Sequence, residues 1–287
     1  MNILVFGGNG YIGKNVIQYL IKDKHKVTVV DIDLTDQFVM NNCNCIKGNI
    51  LDKHFVKEVI TNYDLVYNFA AVSNVELNSN YIENAIKVNL IGLVSILESC
   101  VYNKVDRIIH ASSVYALYEK GGIYSITKRG AEELIYHYNR QYGLNYTILR
   151  YGTLYGPKPG QGNSLYHYLK MAIFNKEIEY IGDGNELREY IHIEDAAKLT
   201  IKIMDKKYQN EVVLITGLHS YRIKDIFELM REMIGDDIQI KYKQSDNNYH
   251  YKITPYNYKE KLSKKILLDE YIDIHQGLYN IMLKMNK

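Results

Sequence analysis

The chain of 287 residues has no tryptophan, 3 prolines and 3 cysteines. Cys43, Cys45 and Cys100 are odd in number and form no CxxC pair, which argues against a disulfide framework and against a zinc site. No metal is expected, and a reduced, cytoplasmic setting is. The net charge of +2 gives neither sign the excess that nucleic acid or a membrane surface would call for. No apolar run approaches the roughly 20 residues of a bilayer-spanning helix. The apolar start is too short, and lacks the basic leader, of a signal peptide. Neither nucleic acid nor membrane is therefore expected as a partner.

What remains is an ordinary globular composition, 47% hydrophobic and 24% charged, with a marked excess of tyrosine at 28 residues. The first 13 residues, MNILVFGGNGYIG, carry the most information. Ile3–Phe6 is an apolar strand, Gly7, Gly10 and Gly13 follow at three-residue spacing, and Lys14–Ile21 continues in helical period. Strand, glycine turn and helix hold a dinucleotide pyrophosphate, because glycine lets the backbone approach phosphate and the helix N-terminus presents free N–H groups. Further strands are expected at Lys26–Asp31, Leu65–Ala70, Arg107–Ala111 and Asn145–Tyr151. Helices are expected between them at Lys53–Thr61, Ile82–Val101 and Thr127–Tyr142. This alternation predicts an α/β fold, a Rossmann doubly wound parallel sheet with a smaller C-terminal substrate lobe. The division expected is residues 1–155 for the cofactor and 156–287 mainly for the substrate, with 190–230 returning to the sheet. Residues 156–162 are the strongest loop signal.

Asp31 ends the second strand 18 residues after Gly13. A carboxylate there accepts hydrogen bonds from a ribose and repels a 2′-phosphate, so NAD(H) is favoured over NADP(H). Asn49, at the end of a third strand, suits either an adenine amino group or the cap of the following turn. Ile50 adjoins it, and Ala70 closes the fourth strand with a small side chain.

Tyr124 and Lys128 form a YxxxK pair, four residues apart and so on one helix face. An ammonium beside a phenol stabilises phenolate and makes Tyr124 a usable acid/base. In so tyrosine- and lysine-rich a chain that spacing says little alone. Ser112 and Ser113 at the carboxyl end of a strand supply the missing context, since ligands of open α/β sheets bind there.

These residues resemble the extended short-chain dehydrogenase/reductases, the nucleotide-sugar epimerase, dehydratase and reductase group. The matching segments are GGNGYIG (7–13), GNI (48–50), NFAAVSNV (68–75), VNLIG (88–92), ASSVY (111–115), YSITK (124–128), LRYGTLYGP (149–157) and GDGNELREYIHIEDAA (182–197). The resemblance implies Tyr124 as catalytic acid/base, Lys128 as its partner and Ser113, ahead of Ser112, as the catalytic hydroxyl. It places Tyr11 and Ile12 at the pyrophosphate, and Asn89 and Tyr151 on the nicotinamide side. Ser73, Thr153 and Arg188 fall to the nucleotide-sugar substrate, Arg188 as the grip on its phosphates. A homodimer through the helices at 82–101 and 127–142 follows by the same analogy.

Which reaction ensues depends on departures from the family pattern. The 4,6-dehydratases carry Asp-Glu after the hydroxyl, where this chain has Val114 and Tyr115. Only residues 114–123 separate Ser113 from Tyr124, shorter than in the epimerases, and Thr153 replaces their usual Asn. The expectation is NAD(P)H-dependent reduction of a 4-keto nucleotide sugar, with NAD-dependent 4-epimerisation as the alternative and a non-catalytic NAD-binding regulator behind both. The lysines at 259, 261, 264 and 265 suit either a diphosphate or a solvated surface.

Overall fold

The computed structural model describes residues 1–285 except 74–78, 158–162, 244–250, 254 and 256–262. Most of the expected loop at 156–162, together with Lys259 and Lys261, lies outside the described residues.

Eight strands form one parallel sheet. The strands β1 (Asn2–Phe6), β2 (Lys26–Asp31), β3 (Asn44–Lys47), β4 (Leu65–Asn68), β5 (Arg107–Ser113) and β6 (Asn145–Tyr151) come from the first half. After β7 (Thr153–Tyr155), β8 (Glu177–Ile181) and β9 (Leu187–His192), β10 (Glu211–Ile215) returns to this sheet. The strands β11 (Ser220–Arg222) and β12 (Gln239–Lys243) leave it again, and β13 (Lys264–Lys265) closes its edge. The order is β13-β10-β6-β5-β4-β1-β2-β3, so the chain winds outward from β1 and then restarts on the other side at β4. That reversal opens a crevice beyond the carboxyl ends of β1 and β4, where such sheets bind ligands.

The central strands are apolar on both faces because helices cover both. Ile3 and Val5 pack with α1 (Tyr11–Lys22), while Leu4 and Phe6 turn to the opposite layer. On this second side lie α3 (Lys53–Val59), which follows the short α2 (Gln37–Asn42), and the long helical stretch from Ser79 to Tyr102. That stretch is α4 (Ser79–Ile86), a π-helical segment (Lys87–Gly92) and α5 (Leu93–Tyr102). α6 (Gly122–Tyr142) lies beside it. The expectation that nothing reaches membrane-spanning length needs correcting here. Tyr81–Tyr102 has that length, with a mean hydropathy of 1.5. Glu83, Lys87 and Glu98 break up its apolar run in the sequence, and half of its apolar window is buried inside the fold.

Two small sheets, β11-β9-β7 and β12-β8, build the second part with α7 (Ser164–Asn175), α9 (Ile223–Ile234) and α10 (Ile274–Met285). They enclose a separate apolar cluster around Tyr155, Leu169, Ile178, Phe227 and Leu278. The helix α8 (Ile193–Lys202) belongs to the main sheet and packs on α1. Lys264 and Lys265 ion-pair with Glu211 and Glu189 along the sheet edge rather than facing a ligand.

Candidate active site

The glycine turn closes on itself. Gly7 has φ +74°, and a Cβ there would stand 2.4 Å from the Ala70 backbone nitrogen. A Cβ on Gly13 would stand 2.4 Å from the Gly7 carbonyl oxygen. Gly10 begins α1 with no side-chain cap, which leaves the N–H groups of the first turn for an anion. A cofactor diphosphate fits this cradle, whose closed backbone leaves no room for a side chain at Gly7 or Gly13. The loop after β2 is tied to the same turn. The Asp31 carboxylate accepts from the Asn9 N–H at 2.9 Å, and the Asn9 side-chain oxygen accepts from the backbone N–H groups of Thr35 and Asp36 at 3.3 and 2.9 Å. Burial raises the Asp31 pKa.

At the far end of the crevice, β5 runs two residues beyond the expected end at Ala111. Ser112 and Ser113 pair in register with Arg150 and Tyr151 of β6. Strand alternation sends their side chains opposite ways. Ser112 turns to α6 and donates to Glu132 Oε1 at 2.6 Å. Ser113 turns to the crevice, accepts from the Tyr115 N–H at 3.2 Å and shares a hydrogen bond with the Tyr124 phenol. Ser113 thus caps the short turn Val114–Leu117 and faces Tyr124 at once. Tyr124 and Lys128 rise from the first two turns of α6 on one face. Lys128 Nζ donates to the Ala111 carbonyl at 2.7 Å and lies 5.7 Å from the centre of the Tyr124 ring. Burial pushes the Tyr124 phenol up to about 12 and the Lys128 ammonium down to about 8.

One cavity of about 540 Å³ joins the two ends. Gly7, Gly10, Tyr11, Ile12 and Gly13 line it at the turn, and Ser113, Tyr124, Lys128 and Tyr151 at the sheet end. Ser73, Thr153 and Arg188 also line it. The Tyr11 hydroxyl accepts from Asn163 Nδ2 at 3.1 Å, linking the turn to the start of α7. Tyr151 lines the wall while its hydroxyl pairs with Thr200 at 2.7 Å.

Five expected cofactor residues stand away from the lining, among them Asp31, which is held at the turn through Asn9. The Asn49 carboxamide oxygen caps the Leu51 N–H at 3.0 Å, the alternative the sequence left open. Ile50 is buried against Gly92, where a Cβ would lie 2.6 Å from Ile50 Cδ1. Ala70 meets the glycine turn through its backbone. Asn89, in the π-helical segment, spends both amide atoms behind the wall, on the Val72 N–H at 2.8 Å, the Val72 carbonyl at 2.9 Å and the Thr127 hydroxyl at 3.1 Å. It braces the strand-end loop against α6.

Two contributors escaped the sequence reading. Tyr251 lines the cavity with its hydroxyl 3.3 Å from Thr153 Oγ1, its ring 4.9 Å from that of Tyr115, and the Arg188 guanidinium 4.2 Å over its face. Nothing in a chain of 28 tyrosines marked it out. Glu132 follows Lys128 by four residues, a spacing that already placed it on the same helix face.

The doubly wound sheet with a glycine-turn crevice leading to strand-end serines and a YxxxK helix defines an extended short-chain dehydrogenase/reductase, an NAD-using enzyme. The chain belongs to the NAD dependent epimerase/dehydratase family, whose sequence model matches residues 3–216. It is 29% identical over 276 residues to a UDP-glucuronate 4-epimerase of Thermodesulfobacterium geofontis, covering 86% of this chain and 84% of that protein. It is 26% identical over 289 residues to a UDP-N-acetyl-alpha-D-glucosaminuronate decarboxylase of Bacillus cytotoxicus, covering 91% and 88%. Its structure is similar to that of a UDP-glucose 4-epimerase from Thermotoga maritima solved with UDP-glucose, with TM-score 0.82, 25% identity, and 100% and 99% of the two chains covered.

Proposed function

We propose that the protein is an NAD-dependent 4-epimerase of a nucleotide sugar of the UDP-hexose type. The observation that carries this reading is the continuous cavity from the glycine turn to Ser113, Tyr124 and Lys128, with Arg188 also in its lining. Bound NAD supplies the acceptor and donor of hydride at a sugar carbon. Tyr124 takes the proton of the C4 hydroxyl and returns it. Ser113 holds the same oxygen through its hydrogen bond, and Lys128 as an ammonium stabilises the phenolate. Arg188, with a planar fork suited to phosphate, anchors the diphosphate. No Asp or Glu lines the cavity among the described residues, and Val114 and Tyr115 stand where the dehydratases carry Asp-Glu. The relatives that carry 4-epimerase names support this reading over the reductase expected from the sequence.

The short segment 114–123 still favours 4-ketoreduction as the second reading. Incubation with UDP-glucose, UDP-N-acetylglucosamine and UDP-glucuronate, followed by NMR of the products, separates the two. The epimerase gives the C4 epimer at constant NADH. Stoichiometric loss of NADH on a 4-keto sugar, with no epimer formed, sinks it. We assign the turn-bearing half to the cofactor and the later small sheets to the substrate. A cytoplasmic place suits the unpaired thiols, and a homodimer suits the isoleucines exposed on α4, the π-helical segment and α6, namely Ile82, Ile86, Ile91 and Ile126.

A further inference from the structure

A buried charge cluster stands behind the Ser113–Lys128 wall, and of its members Ser112 alone lines the cavity. Glu132 is 3% exposed and lies one turn beyond Lys128 on α6. Its carboxylate accepts from Ser112 Oγ at 2.6 Å, from Arg150 Nε at 3.0 Å and from Arg150 Nη2 at 2.6 Å. Ser112 and Arg150 face each other across the β5–β6 register, so the cluster ties one helix to two strands.

Stability alone is a poor reason for such a cluster. Well-packed apolar residues of similar volume hold a buried interface as well as, or better than, a desolvated ion pair. Its placement offers another reason. Ser112 adjoins Ser113, and Ala111, one residue earlier, receives the Lys128 ammonium. Both groups that address Tyr124 are therefore held within one residue or one helical turn of Glu132.

On the reading of Tyr124 and Lys128 given above, we propose that Glu132 is a positioning residue, which fixes through Ser112 the strand end carrying Ser113 and supplies the negative charge that keeps Lys128 an ammonium beside Tyr124.

The groups around Lys128 agree. From α6 it meets Tyr124 and Glu132, from β5 His110 and the Ala111 carbonyl, and from β6 Arg150 reaches Glu132. His110 is buried and its pKa is held well below the usual value, by burial first and by Lys128 second, so it stays neutral. Burial drives Lys128 down and Glu132 pulls it back up. Without the Glu132 charge, Lys128 loses its proton at lower pH.

The test uses the full-length holoenzyme with Glu132→Gln, the paired Glu132→Gln/Arg150→Met, which leaves no orphaned cation, and Glu132→Asp. For each, kcat is followed from pH 6 to 10, with sugar-nucleotide KM and melting temperature alongside. The alkaline limb of kcat is expected to move down by about one pH unit in the two Gln variants, about tenfold in rate on that limb. KM should stay within about twofold, and Glu132→Asp should recover most of the shift. A folded Gln variant with the wild-type limb overturns the proposal and leaves Glu132 a structural residue. Should neither Gln variant fold, Glu132→Asp decides alone. A small downward displacement of its limb is then expected, and a limb identical to the wild type's overturns the proposal. Activity surviving Tyr124→Phe instead overturns the functional reading, whatever Glu132 does.

Discussion

Ser112 and Ser113 share a strand end, a residue type and deep burial, and differ only in the side of the sheet they face. Both border the cavity, but the Ser112 hydroxyl is spent on Glu132, whereas the Ser113 hydroxyl meets the Tyr124 phenol. Ser113→Ala should therefore lower kcat by about 10²-fold or more with melting temperature little changed. Ser112→Ala should act mainly on melting temperature. Steady-state kinetics beside a thermal melt distinguish them, and the reverse pattern would exchange the two roles. Tyr124→Phe should reduce turnover by about 10²–10⁴-fold and leave NAD binding intact, read by fluorescence titration. Beneath the cavity, the Asn68 carboxamide oxygen accepts from the Ala70 N–H at 3.1 Å, which turns its nitrogen to His110 Nδ1 at 3.3 Å. His110 resists protonation when folded, while the unfolded chain takes a proton near pH 6.5. Unfolding then binds the extra proton, so stability falls as pH drops below about 6.5. His110→Phe should flatten the decline in melting temperature between pH 6.5 and 5. It should not abolish the decline, because burial also lowers the pKa of His25 and His192.

At the scale of elements, the glycine turn is the least tolerant of change. Gly13→Ala sets a methyl against the Gly7 carbonyl, a backbone atom that cannot step aside. Loss of NAD binding is expected, with either a soluble apo-protein or no folded protein, and retained affinity would contradict the cradle. The strands that the sequence made legible, β1, β2, β4, β5 and β6, are those covered by helices on both faces, where burial leaves an uninterrupted apolar run. β7 and β11 escaped notice because three residues are too few for a pattern. Asn89, expected on the nicotinamide side by resemblance alone, lies in the π-helical segment Lys87–Gly92, where its amide is bound to Val72 and Thr127. Among the site residues, Ser113, Tyr124 and Lys128 were readable because spacing and strand position constrain them together. Tyr251 lies far along the chain, and only tertiary folding brings it to Arg188.

For the whole molecule, the exposed isoleucines of α4 and α6 lead to a prediction about assembly. Ile126, 59% exposed, should lie inside a dimer interface. Ile126→Asp should shift the mass measured by light scattering from dimer to monomer, and an unchanged mass would place the contact elsewhere. The larger sheet and the lobe meet at the cavity. On the cofactor side, Asp31→Ala should raise affinity for NADP relative to NAD by roughly tenfold, since a like charge facing a phosphate is removed. Binding titrations with both nucleotides check this. Asn9 extends the same effect beyond one carboxylate. By holding the backbone of Thr35 and Asp36, it folds the segment bearing Asp31, Asp33 and Asp36 back onto the glycine turn. A fence of carboxylates there repels the 2′-phosphate of the phosphorylated reductant that drives biosynthesis. Under the epimerase reading the protein's net flux then follows only the relative abundance of two sugar stereoisomers, whatever the redox state of the cell.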